Sequence, residues 1–195
     1  MKLTHAFIAT IALAFSALAC GINMPSNPQP PNPGFAPSAN DASAFEQSFT
    51  NAVNQAAQTG NFSVTVDQQQ FSSWLALRAP DYARQQGYDW PLKQVQASLN
   101  NGKITLYGVL SQPNVPDTPT QVIFTPSIDG TGGVAVTVDS GQVGVLGVPS
   151  TILQNLNTTI KNLLATQLGQ IQGRYKLNNL TIANGTMTVS GQVLH

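Results

Sequence analysis

Cysteine is almost absent from this chain: Cys20 stands alone in 195 residues, which excludes an internal disulfide framework. Histidine is nearly as scarce. His5 lies in an N-terminal apolar run and His195 is the last residue, so a Ser-His-Asp or Cys-His arrangement has no well-placed base, and no Gly-x-Ser-x-Gly elbow is present. Charge is sparse as well, 8% of residues, with eight basic and eight acidic side chains. That balance points away from nucleic acid, an anionic membrane surface or an acidic substrate. The acids stand singly, without an Asp-x-Asp-x-Asp loop or a His/Cys cluster, so neither a metal site nor a cofactor is expected. Asp67 reads as a helix cap and Asp129 as a turn residue. A glycosidase-like carboxylate pair would have to come from Asp81, Asp89 and Asp139, and nothing in their surroundings recommends them. The glycines from Gly130 to Gly133 fall in a hairpin rather than between a strand and a helix, so they form no phosphate loop. The expectation is a protein that is not an enzyme.

What is present begins with a targeting segment. Lys2 supplies a short positive region, and Ala6 to Leu18 is an apolar run too short to span a membrane comfortably. It ends in Ser16-Ala17-Leu18-Ala19-Cys20, which resembles a bacterial lipobox, with Ala17 where a leucine is usual and Leu18 one place late. The resemblance implies that residues 1–19 are a lipoprotein signal peptide. Cys20 would then become the fatty-acylated first residue of a protein anchored to a membrane of the cell envelope, outside the cytoplasm. Ordinary secretion is the alternative. Residues 20–41 follow as a proline-rich tether (GINMPSNPQPPNPGFAPSAND after the cysteine) that has almost nothing to bury. At roughly 3 Å per residue it would reach about 60 Å.

Residues 42–195 have the composition and size of one folded domain, and no tandem repeats stand out. Ala42 to Thr59 carries Phe45, Phe49, Ala52, Val53 and Ala56 on one side, predicting a helix capped by Asp41 or Ser43 and stopped at Gly60. Phe62 to Val66 alternates as a strand. Asp67 with Gln70 makes a capping box before a helix with Phe71, Trp74 and Leu75, ended by Pro80. Ala79 to Trp90 is expected to be irregular; Tyr82, Tyr88 and Trp90 there form either an aromatic patch at a pocket mouth or a plug on the core. Hairpins are predicted around Asn100-Asn101-Gly102, Asp129 to Gly133 and Ala183-Asn184-Gly185. Ser111 to Thr118 reads as a loop, and Gln142 to Leu146 as a strand continued past a bulge at Gly141. Between the last two hairpins, Ile152, Leu153, Leu156, Ile160, Leu163, Leu164 and Leu168 recur at helical spacing after Pro149. The expected fold class is α+β: a strongly curved, mostly antiparallel sheet wrapped around a long apolar helix, with one or two shorter N-terminal helices.

This order of elements, from FSVTVD through the apolar helix to LTIANGTMTVSG, resembles the half-barrel unit of the tubular lipid-binding (TULIP-like) proteins, in particular their small bacterial exported forms. The resemblance covers about Phe62 to Val193 and rests on no ligand motif. It implies an apolar groove between sheet and helix that takes an acyl chain. Carried onto this sequence, Leu146, Ile152, Leu153, Leu156, Ile160, Leu163 and Leu164 would line the groove, with Phe71, Trp74 and Leu75 at one end. The expected function is a tethered lipoprotein that binds or shuttles a lipid or fatty acid. The alternative is a non-enzymatic surface interaction or structural module whose core is filled by its own side chains.

Overall fold

The computed structural model describes residues 26–85, 87, 90–112, 115–147, 154, 158 and 175–194. Cys20, and the groove residues Ile152, Leu153, Leu156, Ile160, Leu163 and Leu164, lie outside them. Gln154 and Thr158 are helical and exposed, with the Thr158 hydroxyl donating to the Gln154 carbonyl at 2.9 Å.

Helix α1, Ala39–Thr59, buries Ala42, Phe45, Ala52 and Ala56. Its cap is Ser38 rather than Asp41 or Ser43. Ser38 is extended (φ −109°) and its Oγ accepts from the Asp41 amide at 3.2 Å. The Ser38 amide in turn donates to Ser73 Oγ at 3.1 Å, and Gln69 Nε2 donates to Asp41 Oδ2 at 2.9 Å. Tertiary partners on the next helix thus fix the start one turn earlier than local sequence suggests. Gly60, at φ 75°, ends α1 by donating to the Ala56 carbonyl. Strand β1, Asn61–Asp67, alternates buried Phe62, Val64 and Val66 with exposed polar residues. Helix α2, Gln68–Leu77, has the predicted capping box, with Gln70 N to Asp67 Oδ1 at 2.8 Å and Asp67 N to Gln70 Oε1 at 3.2 Å. The stretch expected to be irregular contains a further short helix, α3, Ala79–Gln85. Pro80 sits in its first turn, where a missing N–H costs nothing.

The remaining elements are strands: β2, Leu92–Asn100; β3, Lys103–Gln112; β4, Val115–Ile128; β5, Val134–Val143; β6, Leu146–Gly147; β7, Tyr175–Ala183; β8, Thr186–Val193. They form two antiparallel sheets, β1-β8-β7 and β2-β3-β4-β5-β6. The fold is α+β, with two sheets in place of one continuous sheet. The stretch read as a loop is largely strand, since pairing resumes at Gln112 and Val115 after an irregularity. Strand β4 tolerates Pro119 and Pro126 inside a sheet because each falls where β4 has one neighbour: Pro119 lies beyond the β5 ladder and Pro126 beyond the β3 ladder. The bulge expected at Gly141 is at Asp139, the residue skipped between Phe124↔Val138 and Ile123↔Ser140.

Two hairpins repeat one another at a constant displacement along the chain. Lys93, Asn101, Gly102, Thr105 and Gly108 in β2–β3 match Lys176, Asn184, Gly185, Thr188 and Gly191 in β7–β8. The register matches too, since Lys93↔Val109 and Gln96↔Tyr107 correspond to Lys176↔Gln192 and Asn179↔Ser190, with an irregularity at the same place in both. Both turns have positive φ at Asn and Gly, the type I′ pattern. The tips clasp: Gly102 N donates to Ile182 O at 2.9 Å, and Gly185 N donates to Leu99 O at 2.8 Å. Gln68 ties the clasp to α2, its amide donating to Gly185 O and its Oε1 accepting from Leu99 N at 3.1 Å. The outer edge of β2 is closed by Ser72, whose Oγ accepts from Ala97 N at 2.9 Å and donates to Ala97 O at 3.3 Å.

The proline-rich stretch from Ser26 onward is docked on the domain. Gln96, Tyr107, Gln121 and Gln142 form one row across β2, β3, β4 and β5. The two end members hold the chain: Gln142 Nε2 donates to Ser26 O at 2.9 Å and Gln96 Nε2 donates to Asn32 O at 2.8 Å. Pro28 between them is buried. Three strand spacings take up roughly 14 Å, and Ser26 to Asn32 at about 3.1 Å per residue in polyproline form supplies roughly 19 Å, so an extended strap fits the row. Of the residues expected to form a tether, Ser26 and Asn32 are thus held against the sheet.

Candidate functional site

An aromatic cluster lies where α1 and α2 meet both sheets. Phe45 is its centre, with Phe49 at a ring-centroid distance of 5.0 Å, Phe71 at 5.6 Å and Trp74 at 5.0 Å. Helical spacing on α1 puts Phe45 and Phe49 one turn apart, and the capping box fixes where α2 starts and so aims Phe71 and Trp74 at them. Beside this cluster is a cavity lined by Phe45, Phe49, Phe71 and Trp74 from the helices, by Ile104, Pro126 and Val134 from the five-stranded sheet, and by Leu180, Met187 and Val189 from the three-stranded one. Phe49, Val134 and Leu180 are half-buried and mark the mouth, and the others are buried and form the floor. No polar atom lines it. Counted with its open mouth it encloses about 490 Å³, but the space in which the centre of a water-sized sphere can move is about 30 Å³. The smaller figure governs what fits without rearrangement, because the larger one includes solvent.

Of the residues singled out from sequence, Phe71 and Trp74 line this cavity. Leu75 is buried in the adjoining core. Leu146 is elsewhere, 71% exposed on β6 at the sheet edge, so it is removed from the lining. Tyr82 packs against Trp74 with ring centroids 5.8 Å apart and planes tilted by 41°, and Trp90 packs half-buried against the core, so these two act as a plug; Tyr88 lies outside the described residues. The indole nitrogens of Trp74 and Trp90 are buried with no hydrogen-bond partner among the described residues. Sequence reasoning put Phe45 and Phe49 on a buried helix face without giving them a role. It missed Ile104, Pro126, Val134, Leu180, Met187 and Val189, whose alternation marks them as inward-facing but does not tell which helix they meet.

Charged groups stand away from the cavity. Asp139 accepts from Lys103 Nζ at 2.6 Å and from Thr125 Oγ1 at 2.7 Å, and these bonds hold its carboxyl below the usual carboxylate range. Asp129 Oδ1 accepts from Thr131 Oγ1, Gly133 N and Thr131 N at 2.6 to 2.9 Å, which lowers its pKa likewise. Among the described residues no three His, Cys, Asp or Glu side chains are grouped to hold a metal, and no helix is long and apolar enough to cross a membrane. The chain matches no protein-family model and no curated protein.

Proposed function

We propose that this protein is a lipid-anchored envelope lipoprotein that binds the acyl chain of a lipid or fatty acid. The observation that supports this reading is the wholly apolar cavity at the junction of two helices and two sheets. A site without polar lining selects by burial alone, so the ligand's head group would remain at the mouth. The free space of about 30 Å³ is far below the roughly 300 Å³ of an ordinary ligand pocket. Binding therefore involves opening at Phe49, Val134 and Leu180, with the apolar stripe from Ile152 to Leu164 as the helix over which the sheets would wrap. The small free volume and the stacked Phe45 cluster favour a second reading, an interaction module whose core is filled by its own side chains.

Native mass spectrometry of the full chain, followed by organic extraction, separates the two. Discrete adducts that extract as phospholipid or fatty acid are expected for a lipid carrier, and Val134→Phe, which narrows the mouth, is expected to abolish them while the fold persists. A clean apo mass, with a fluorescent acyl probe binding neither protein, would leave the self-filled module standing. In that case Val134→Phe costs only overpacking, about 1–3 kcal/mol.

A further inference from the structure

The strap and the far edge of the five-stranded sheet meet at one place. Gln142 Nε2 donates both to Ser26 O and to Gly144 O, at 2.9 and 2.8 Å. Asn27 Oδ1 lies 3.7 Å from where a Cβ on Gly144 would stand. Gly144 (φ 58°) and Val145 form the two-residue turn into β6, with the glycine first, as in a type II′ turn. Its N–H is held by the Pro119 carbonyl at 2.7 Å, so the turn is fixed to β4. This turn presents Val145, 53% exposed, and Leu146, 71% exposed. The other exposed large apolar residues, Leu77 and Leu194, stand singly; Val145 and Leu146 are the one adjacent pair among the described residues. An adjacent, exposed apolar pair on a rigid turn calls for a partner, where single exposed leucines do not. The charge on the adjoining strand β5, Asp139, is paired with Lys103 at 2.6 Å, so the edge has no net charge to favour an ionic partner.

We propose that the Val145–Leu146 turn is a membrane-contacting edge, and that the docked strap turns it toward the bilayer. The inference rests on the reading of Cys20 as a lipidated residue. Only Gly21 to Pro25 separate Cys20 from Ser26, a reach of about 20 Å when extended. With Ser26 fixed to Gln142, the sheet edge is held within that distance of the anchor. The lipid supplies attachment; the turn, burying two apolar side chains at the interface, supplies orientation.

The test uses the full chain, lipidated in a bacterial host and reconstituted into phosphatidylethanolamine/phosphatidylglycerol vesicles that contain nitroxide-labelled acyl chains. Intact mass first establishes whether Cys20 carries lipid. An environment-sensitive fluorophore is then placed at Leu146→Cys or, as control, at Ser63→Cys on the exposed face of β1. The Leu146 label is expected to shift to the blue and be quenched, and the Ser63 label to keep its aqueous emission. Gln142→Ala, which releases the Ser26 end of the strap, is expected to erase the difference. Equal aqueous emission from both labels on a protein with lipidated Cys20 overturns the edge and leaves the lipoprotein reading intact. A contrast that survives Gln142→Ala overturns the strap's part in it. An unmodified Cys20 ends both.

Discussion

A methyl group added at Gly191 would stand 2.5 Å from the Lys176 carbonyl oxygen and 2.8 Å from two ring carbons of Phe62. The oxygen belongs to the neighbouring strand and cannot retreat without opening the β7–β8 ladder. The matching glycine of the other hairpin, Gly108, is less confined, with the Lys93 carbonyl at 3.0 Å. Gly191→Ala is therefore expected to destabilise the fold by about 1–3 kcal/mol, and Gly108→Ala by clearly less, measured as urea midpoints; the reverse order would contradict this account of the packing. The two tied carboxylates set the acid behaviour. Asp129 and Asp139 both have folded pKa values below the ordinary 3.8, so each adds stability that is present above that value and lost as pH falls through the lowered one. Asp139→Asn and Asp129→Asn are expected to flatten the decline of the urea midpoint below about pH 4, and an unchanged acid limb would refute the assignment. Both shifts follow from turn and cross-strand hydrogen bonds. The first was legible in Asp-Gly-Thr-Gly-Gly, whereas the second depends on Lys103 and Thr125 from other strands.

At the level of single elements, the edge of β2 depends on one hydroxyl. Ser72 satisfies both the N–H and the C=O of Ala97, groups that an edge strand otherwise leaves open. Ser72→Ala keeps the helix but orphans two buried backbone groups, a loss of about 1–3 kcal/mol. Hydrogen exchange at the Ala97 amide should accelerate by more than at Ser98; equal protection would mean that another group takes over. Elements whose cues are local were legible in advance: the Asp67–Gln70 box, the two Asn-Gly turns and the Gly60 stop. Elements decided by distant partners were not. Ser38 prevails over Asp41 as cap because Ser73 and Gln69 hold both residues in place. The bulge falls at Asp139 although a glycine stands two residues on, since the carboxylate there reaches Lys103 and Thr125. Pro80 was read as an end and is also a beginning.

For the molecule as a whole, three hairpin turns were legible in the sequence, yet not the pairing of β3 with β4 or of β5 with β6, nor which distant strands lie side by side. That β1 pairs with β8, and that the hairpins divide into two sheets, depends on contacts between distant parts of the chain. The cavity inherits the same limit. Its aromatic half follows from helical periodicity at Phe45, Phe49, Phe71 and Trp74, while its aliphatic half comes from five strands in two sheets. The hairpin match escaped notice because few residues are identical, although Asn-Gly followed by Thr and then Gly at fixed offsets was there to be seen.

The pairing of β1 with β8 has a consequence for the order in which the fold can close. Phe62, Val64 and Val66 find their ladder partners only when Gly191, Val189 and Met187 arrive, and the clasp between Leu99 and Gly185 waits for the same hairpin. Closure over so long a sequence separation is slow. The three-stranded sheet therefore closes late, and until β8 is in place β1 stands without its ladder.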